Sequence, residues 1–320
     1  MNKTALIGIP RYLSYFSFGS MWETFFEELG CEVKISSPSN REILDQGVRE
    51  TVNDACIPIK LFHGHVMDLR DEVDLLFVPR LGGSTTRYTV CPKFLGLPDM
   101  VRNSVSSLPR ILSPRLGVSK QGIGAWRELA SIGAELAGSR WTAFKALHSA
   151  RQRLTDAVKH IQQDGLEAFD FSSPQRTDLT VGVVGYPYVV YDHLSNGGLV
   201  SQLLQMGIEV LTPEMVDEQA MRRQSEHLSE DVFWYYSNRT LWSGLHFMKS
   251  DEVDGIMHVT AFGCGPDAMI GKILEMEAKS HDMPFLSLMV DEHTGGVGLM
   301  TRAEAFIDML RRRLRGGSAS

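Results

Sequence analysis

Apolar positions along the chain follow two alternating patterns. Ala5–Ile9 is a short continuous apolar run stopped by Pro10, which reads as a buried strand. Phe18, Trp22, Phe25, Phe26 and Leu29 then recur at helical spacing as far as Gly30, a residue that accepts the left-handed cap of a helix. Cys31–Ile35 predicts a second strand, so the chain opens with a βαβ unit, the building block of parallel sheets. The pattern returns later: a strand at Leu179–Val184, a turn at Gly185-Tyr186-Pro187, a helix over His193–Met206 closing at Gly207, and a strand at Ile208–Leu211. Gly8, Pro10, Gly30 and Val33 fall on Gly185, Pro187, Gly207 and Val210 with one offset, 185 − 8 = 177 residues.

The echo continues. Glu72-Val73-Asp74 before the strand Leu75–Val78 matches Glu252-Val253-Asp254 before Ile256–Val259. Leu108-Pro109-Arg110-Ile111-Leu112-Ser113 resembles Met283-Pro284-Phe285-Leu286-Ser287. Shared landmarks in one order predict an internal duplication, giving two similar Rossmann/flavodoxin-like α/β domains with parallel sheets over residues 1–116 and 173–320. Residues 117–172 read as a helical insertion and linker. Its apolar stripes include Leu129, Ile132, Leu147 and Leu154, with Trp126 and Trp141 taken as packing residues and Ser172-Ser173-Pro174-Gln175 as the linker. Thr301 with Glu304 suits a capping box for the final helix, and Gly316–Ser320 a disordered tail.

Bulk composition narrows the function classes. The chain has 320 residues, 43% hydrophobic and 22% charged, which is ordinary globular composition. A net charge of −7 argues against nucleic acid, because phosphate binding needs a basic face. The basic run Arg311-Arg312-Arg313 with Arg315 suits the carboxyl end of a helix dipole. The first apolar run is too short for a signal-peptide core, and no run approaches the ~18 residues that span a bilayer, so a cytoplasmic protein without a membrane segment is expected. Four cysteines in such a protein point to free thiols or metal ligands.

Three of the four have a proline close behind: Cys56-Ile57-Pro58, Cys91-Pro92 and Cys264-Gly265-Pro266. In parallel sheets ligands bind beyond the carboxyl ends of the strands. Cys264 follows one such strand, Cys91 follows its counterpart in the first domain, and Cys56 precedes a helix, so all three thiols could face a cleft between the domains. A helix N-terminus favours the thiolate. Spacing alone leaves two readings side by side, a metal site and buried apolar thiols, because no compact CxxC pair is present. Cys31, opening a strand, reads as core.

His63 and His65 are about 200° apart at ~100° per residue of helix, so one of them at most could serve as a fourth ligand or proton donor. Asp291-Glu292-His293-Thr294-Gly295 is the richest polar cluster, and Glu292 and His293 are candidates for proton transfer. Gly82-Gly83-Ser84-Thr85-Thr86 lacks a Walker lysine, and no GxGxxG follows the first strand, so nucleotide binding of those kinds is not expected.

With these residues assembled, the chain resembles acyl-CoA dehydratase activase-related proteins, relatives of 2-hydroxyacyl-CoA dehydratase subunits and double-cubane-cluster reductases. The matching segments include Ile9-Pro10-Arg11, Trp22-Glu23-Thr24-Phe25-Phe26, Asp54-Ala55-Cys56-Ile57-Pro58-Ile59-Lys60 and Cys91-Pro92-Lys93-Phe94-Leu95-Gly96-Leu97-Pro98-Asp99. Gly185-Tyr186-Pro187-Tyr188, Cys264-Gly265-Pro266-Asp267 and Asp291-Glu292-His293-Thr294-Gly295 extend the set. The resemblance implies an oxygen-sensitive [4Fe–4S] protein of anaerobic metabolism, with Cys56, Cys91 and Cys264 as ligands and one iron left for substrate. It implies low-potential electron transfer or reductive activation of a small substrate such as an acyl-CoA. No actin-like ATPase segment stands in this chain, so the electron donor or ATP-hydrolysing activase is expected to be a separate protein. A homodimer would bring two clusters within reach. Gly296-Val297 departs from the Glu-Ala pair expected after the Asp291–Gly295 loop. Two other readings stand beside this one: a non-catalytic scaffold that docks an activase, and a zinc site of three cysteines with His63 or His65.

Overall fold

In the computed structural model, which describes residues 4–83, 89–119, 122–124, 126–169, 171, 179–224, 232–293 and 296–317, the first apolar run is strand β1 (Leu6–Ile9) and the stripe after it is helix α1 (Tyr15–Glu28). Its aromatic face is buried as the spacing requires. Trp22 and Phe26 each lie 5.1 Å from Phe77, ring centre to ring centre, and Phe25 packs on Phe26 at 5.2 Å. Each buried aromatic ring removes a large apolar area from water, so this face anchors α1.

Two compact units are present: Met1–Val158 with Phe233–Tyr235, and Lys159–Val232 with Tyr236–Ser320. The first continues through β2 (Glu32–Ile35), α2 (Arg41–Glu50), α3 (Ile57–Leu69), β3 (Leu75–Phe77), β4 (Arg80–Gly83), α4 (Pro92–Ser104) and β5 (Arg110–Leu112). After these come β6 (Arg115–Ser119), β7 (Gly122–Gly124), α5 (Arg127–Ala137) and α6 (Arg140–Asp164). The second holds β8 (Thr180–Gly185), α7 (Pro187–Val190), α8 (Leu199–Gln205), β9 (Glu209–Leu211), α9 (Glu218–Arg223) and α10 (Tyr235–Lys249). It ends with β10 (Gly255–Ala261), α11 (Gly265–Ser280), β11 (Phe285–Val290) and α12 (Gly296–Gly317).

The main sheets repeat one topology. The first runs β2-β1-β3-β5 and the second β9-β8-β10-β11, parallel throughout. This is the flavodoxin-like strand order without its last strand. Local devices repeat as well. Gly30, at φ +78°, closes α1 with its N–H on Glu27 O (2.8 Å) and the Cys31 N–H on Phe26 O (3.0 Å). Gly207, at φ +75°, closes α8 with its N–H on Leu204 O and the Ile208 N–H on Leu203 O, at 2.9 Å each. Both are the two-bond Schellman ending that needs a left-handed residue.

The Glu-Val-Asp repeats have one job in both units. Asp74 Oδ2 accepts the Leu6 N–H at 3.0 Å while the Asp74 N–H bonds Leu6 O. Asp254 Oδ2 accepts the Thr180 N–H at 2.8 Å while its own N–H bonds Thr180 O. Each aspartate thereby ties the start of its strand to the neighbouring strand. Asp254→Ala leaves the Thr180 N–H without this acceptor and is expected to cost unit 2 about 1–3 kcal/mol, read from its urea midpoint.

Several sequence expectations change. Hydrogen-bond register places Ile7 against Leu75 and Val181 against Gly255, so Gly8 corresponds to Gly182, three residues ahead of the glycine that the constant offset selects. β8 is longer than β1, and its Gly-x-Pro exit comes later. The helix expected over His193–Met206 is interrupted: Gly197 and Gly198 have φ +62° and +80°, and α8 starts only at Leu199. Asp192 Oδ1 and Asn196 Oδ1 hold that turn by accepting backbone N–H groups at 2.8 Å each. Gly117 lies in β6, a member of a small three-stranded sheet, β4-β6-β7, ahead of the predicted helices. Trp141 is 64% exposed and stacks on exposed Phe144, so it is no core residue. Because α12 starts at Gly296, Thr301 sits inside it, and its hydroxyl donates to Val297 O rather than capping. The same helix takes in Gly316 and Gly317. Residues 84–88, 172–178, 294–295 and 318–320, which include the Ser84-Thr85-Thr86 turn and the predicted linker, lie outside the described residues.

Candidate functional site

Each of the three Cys-Pro cysteines is the N-cap of a helix. Cys56 caps α3, Cys91 caps α4 and Cys264 caps α11, each with a proline at the first or second helical position. The Cys carbonyls accept the first helical bonds: Ile59 N–H to Cys56 O at 2.9 Å, Phe94 N–H to Cys91 O at 2.9 Å, Ala268 N–H to Cys264 O at 3.0 Å. Proline fits there because the first N–H groups of a helix have no partner within it. All three cysteines are half-buried. A thiol so placed sits in the positive field of the helix end.

Topology relates two of them. α4 connects the third and fourth strands of the first main sheet, and α11 connects the matching strands of the second. Cys91 and Cys264 are therefore equivalent positions of the duplicated fold. No cysteine stands between β9 and β10, so Cys56 has no counterpart in unit 2.

Within unit 1 the Cys56 and Cys91 thiols share one neighbour. The Lys93 ammonium lies 3.8 Å from Cys56 Sγ, and the Lys93 N–H donates to the Cys91 sulfur. Burial pushes the Cys91 thiol up and the adjacent Cys56 adds to the effect, while the Lys93 N–H and charge act the other way. α4 is held in place by a two-pronged ion pair, Arg80 to Asp99 at 2.5 and 2.6 Å, which ties it to β4. That pair, with Arg102 nearby, holds the Asp99 carboxyl below the usual carboxylate range. Asp99 ends the Cys91–Asp99 motif, and its role here is to position the helix.

α3 is fixed differently. Asn40 caps α2 by accepting the Ile43 N–H at 2.9 Å, and α2 crosses α3 glycine to glycine. A Cβ on Gly47 would stand 1.8 Å from Lys60 O, and one on Gly64 1.9 Å from Ile43 O. His63 and His65 are both buried on α3. His65 uses both ring nitrogens, on Ser36 Oγ and Ser39 Oγ at 2.9 Å each, and stacks on Tyr12. His63 Nδ1 donates to Ile59 O at 2.8 Å. His65 is thus a structural residue whose nitrogens are committed, and metal ligation by it would break a hydrogen bond.

Burial drops the His65 pKa to about 3, with Arg11 adding to the effect, and burial also lowers that of His63. A histidine depressed in the fold gives stability that is complete above its unfolded value near 6.5 and lost as pH falls toward the folded value. Unit 1 is therefore expected to weaken from about pH 6.5 downward, with a limiting slope of about 1.4 kcal/mol per pH unit from each such histidine. Urea midpoints across pH 4–7 check this, and His65→Gln is expected to flatten the dependence.

In unit 2, Cys264 lies beyond the carboxyl end of β10, after Gly263 at φ +75°. Tyr186, the first residue past β8, puts its hydroxyl 2.7 Å from Ser237 Oγ and in hydrogen-bond contact with Cys264. Burial, with Asp267 and Cys264 close by, pushes that hydroxyl well above its ordinary value. Asp267, in the first turn of α11, is 1% exposed and lies 3.3 Å from His258 Nε2 on β10. Tyr186, Ser237, Asp267 and His258 were not among the sequence candidates; the only signal was that Asp267 follows Cys-Gly-Pro and Tyr186 follows the strand exit. Exposed His293 and half-buried Glu292 lie in the turn after β11, where Asp291 Oδ1 accepts the His293 N–H at 2.8 Å.

Among the described residues, no group of three or more His, Cys, Asp or Glu side chains is gathered as around a metal ion, and no helix is long and apolar enough to cross a membrane. A surface depression lined by Glu32 and Asp71–Asp74 sits at the amino ends of β1–β3.

Residues 6–216 match the family described as CoA enzyme activase uncharacterised domain. The chain belongs to that family. No curated protein matches it. The CoA enzyme activase uncharacterised domain takes in Cys56, Cys91, both histidines of α3 and the β8–β9 opening of unit 2, while Cys264, Asp267 and the turn after β11 lie beyond the match.

Proposed function

We propose that Cys56, Cys91 and Cys264 supply thiolates to a [4Fe–4S] cluster, and that the protein takes part in low-potential electron transfer or reductive activation of a small substrate such as an acyl-CoA. The single observation that carries this reading is the repeated setting of the three thiols: each belongs to a half-buried helix N-cap residue with a proline at the first or second helical position. The donor chemistry fits. Cys56 and Cys91 are neighbours, and burial raises the Cys91 thiol; a bound cation would deprotonate such sulfurs outright. Three thiolates would leave one iron of such a cluster for substrate, and the cluster would supply the electron.

The chain's own residues serve this reading by placement. Helix N-termini and Lys93 stabilise negative sulfur, the Arg80–Asp99 pair fixes α4, and the α2–α3 crossing fixes α3. A separate ATP-hydrolysing activase or other low-potential donor would deliver the electron. EPR of the anaerobically reconstituted, reduced protein tests the proposal. The expected result is a paramagnetic signal that appears on one-electron reduction; a colourless protein without such a signal overturns it.

A further inference from the structure

The exit of β8 and the exit of β10 lie side by side in the central pair of the second sheet, with Gly185 against Val259. In an α/β sheet of this order, that pair of carboxyl ends is the switch point where ligands bind. Gly185 is required there, since a Cβ would stand 2.5 Å from Val259 O. The close approach places Tyr186 immediately beside the loop that carries Cys264. The ring is held by Tyr188 and Tyr236, at 5.6 and 5.8 Å between centres, and only 5% of Tyr186 is exposed.

A phenol has one proton to donate and lone pairs to accept. Ser237, buried on α10, donates its proton to the Tyr186 oxygen at 2.7 Å when the Tyr186 proton is directed at sulfur. A thiolate at Cys264 would accept that proton's hydrogen bond without competing to donate. We infer that Tyr186 is a positioning residue for the Cys264 sulfur: it donates a hydrogen bond to the thiolate, fixes it at the N-terminus of α11 and withdraws charge from it. This inference rests on the reading of Cys264 as a cluster ligand. Hydrogen bonds to ligating sulfur stabilise the more negative, reduced cluster and raise its potential.

Tyr186→Phe keeps the ring and removes the donor. In the anaerobically reconstituted full chain, it is expected to retain its iron and sulfide while the one-electron reduction becomes about tenfold less favourable, ~59 mV lower in midpoint potential. Ser237→Ala, which leaves the phenol but loosens its orientation, is expected to shift the potential in the same direction by less. A full cluster with an unchanged potential in Tyr186→Phe overturns the inference. If Tyr186→Phe loses its cluster, Ser237→Ala decides: a lowered potential supports the role and an unchanged one overturns it. Absence of a cluster from the unaltered protein would overturn the cluster reading itself, a result distinct from either outcome in the variants.

Discussion

Cys91→Ala is expected to leave the protein without cluster iron after anaerobic reconstitution, whereas Cys31→Ala retains it in full. The contrast follows from placement. Cys91 caps α4 at the carboxyl-end side of the first sheet, close to Cys56 and bonded by the Lys93 N–H. Removing one of three thiolates leaves two, too few to hold a cubane with a single open iron. Cys31 instead follows the Gly30 cap and precedes β2, at the amino-end side of the same sheet, where its N–H completes the Schellman ending on Phe26 O. It is half-buried rather than the fully buried core residue its strand position predicts, and burial raises its thiol pKa. Iron and acid-labile sulfide assays on both variants check the prediction. Full iron in Cys91→Ala would exclude this residue as a ligand.

Gly64→Ala is expected to unfold unit 1 or cost it more than about 4 kcal/mol, an unusually large effect for one methyl group. The added Cβ would lie 1.9 Å from Ile43 O, and the main chain of α2 has no rotamer with which to retreat. Gly47→Ala meets Lys60 O at 1.8 Å and is expected to behave alike. A Cβ on Gly96, inside α4, would have nothing within 4 Å, so Gly96→Ala is expected to stabilise by about 0.5–1 kcal/mol through helix propensity alone. Urea denaturation followed through the buried Trp22 environment separates these cases. A Gly64→Ala protein of ordinary stability would mean that α2 and α3 cross at a greater distance.

The fold was legible where periodicity and punctuation agree. The α1 stripe, the Gly30 and Gly207 endings and the Glu-Val-Asp repeats are local signals, and each takes the predicted place in a duplicated parallel sheet. Register was not legible: a constant offset paired Gly8 with Gly185, because the extra length of β8 leaves no mark in the apolar pattern. Trp141 reads as a packing residue, yet burial depends on tertiary neighbours that composition does not reveal, and this residue is exposed. The helix N-cap setting of the cysteines followed from Cys-Pro for Cys56 and for Cys91, which stands just ahead of a helix-like segment, and the structure extends it to Cys264. Lys93, Tyr186, Ser237, His258 and Asp267 could not be assembled from spacing, since their contacts join residues from separate strands and helices.

The central claim is that the three Cys-Pro thiols hold iron and sulfide. Elemental and acid-labile sulfide analysis of the anaerobically reconstituted full chain, beside a variant with Cys56, Cys91 and Cys264 all changed to Ala, tests it most directly. Roughly four irons and four sulfides per chain are expected in the unaltered protein, and none in the variant. Zinc in place of iron, or equal iron in both proteins, would contradict it.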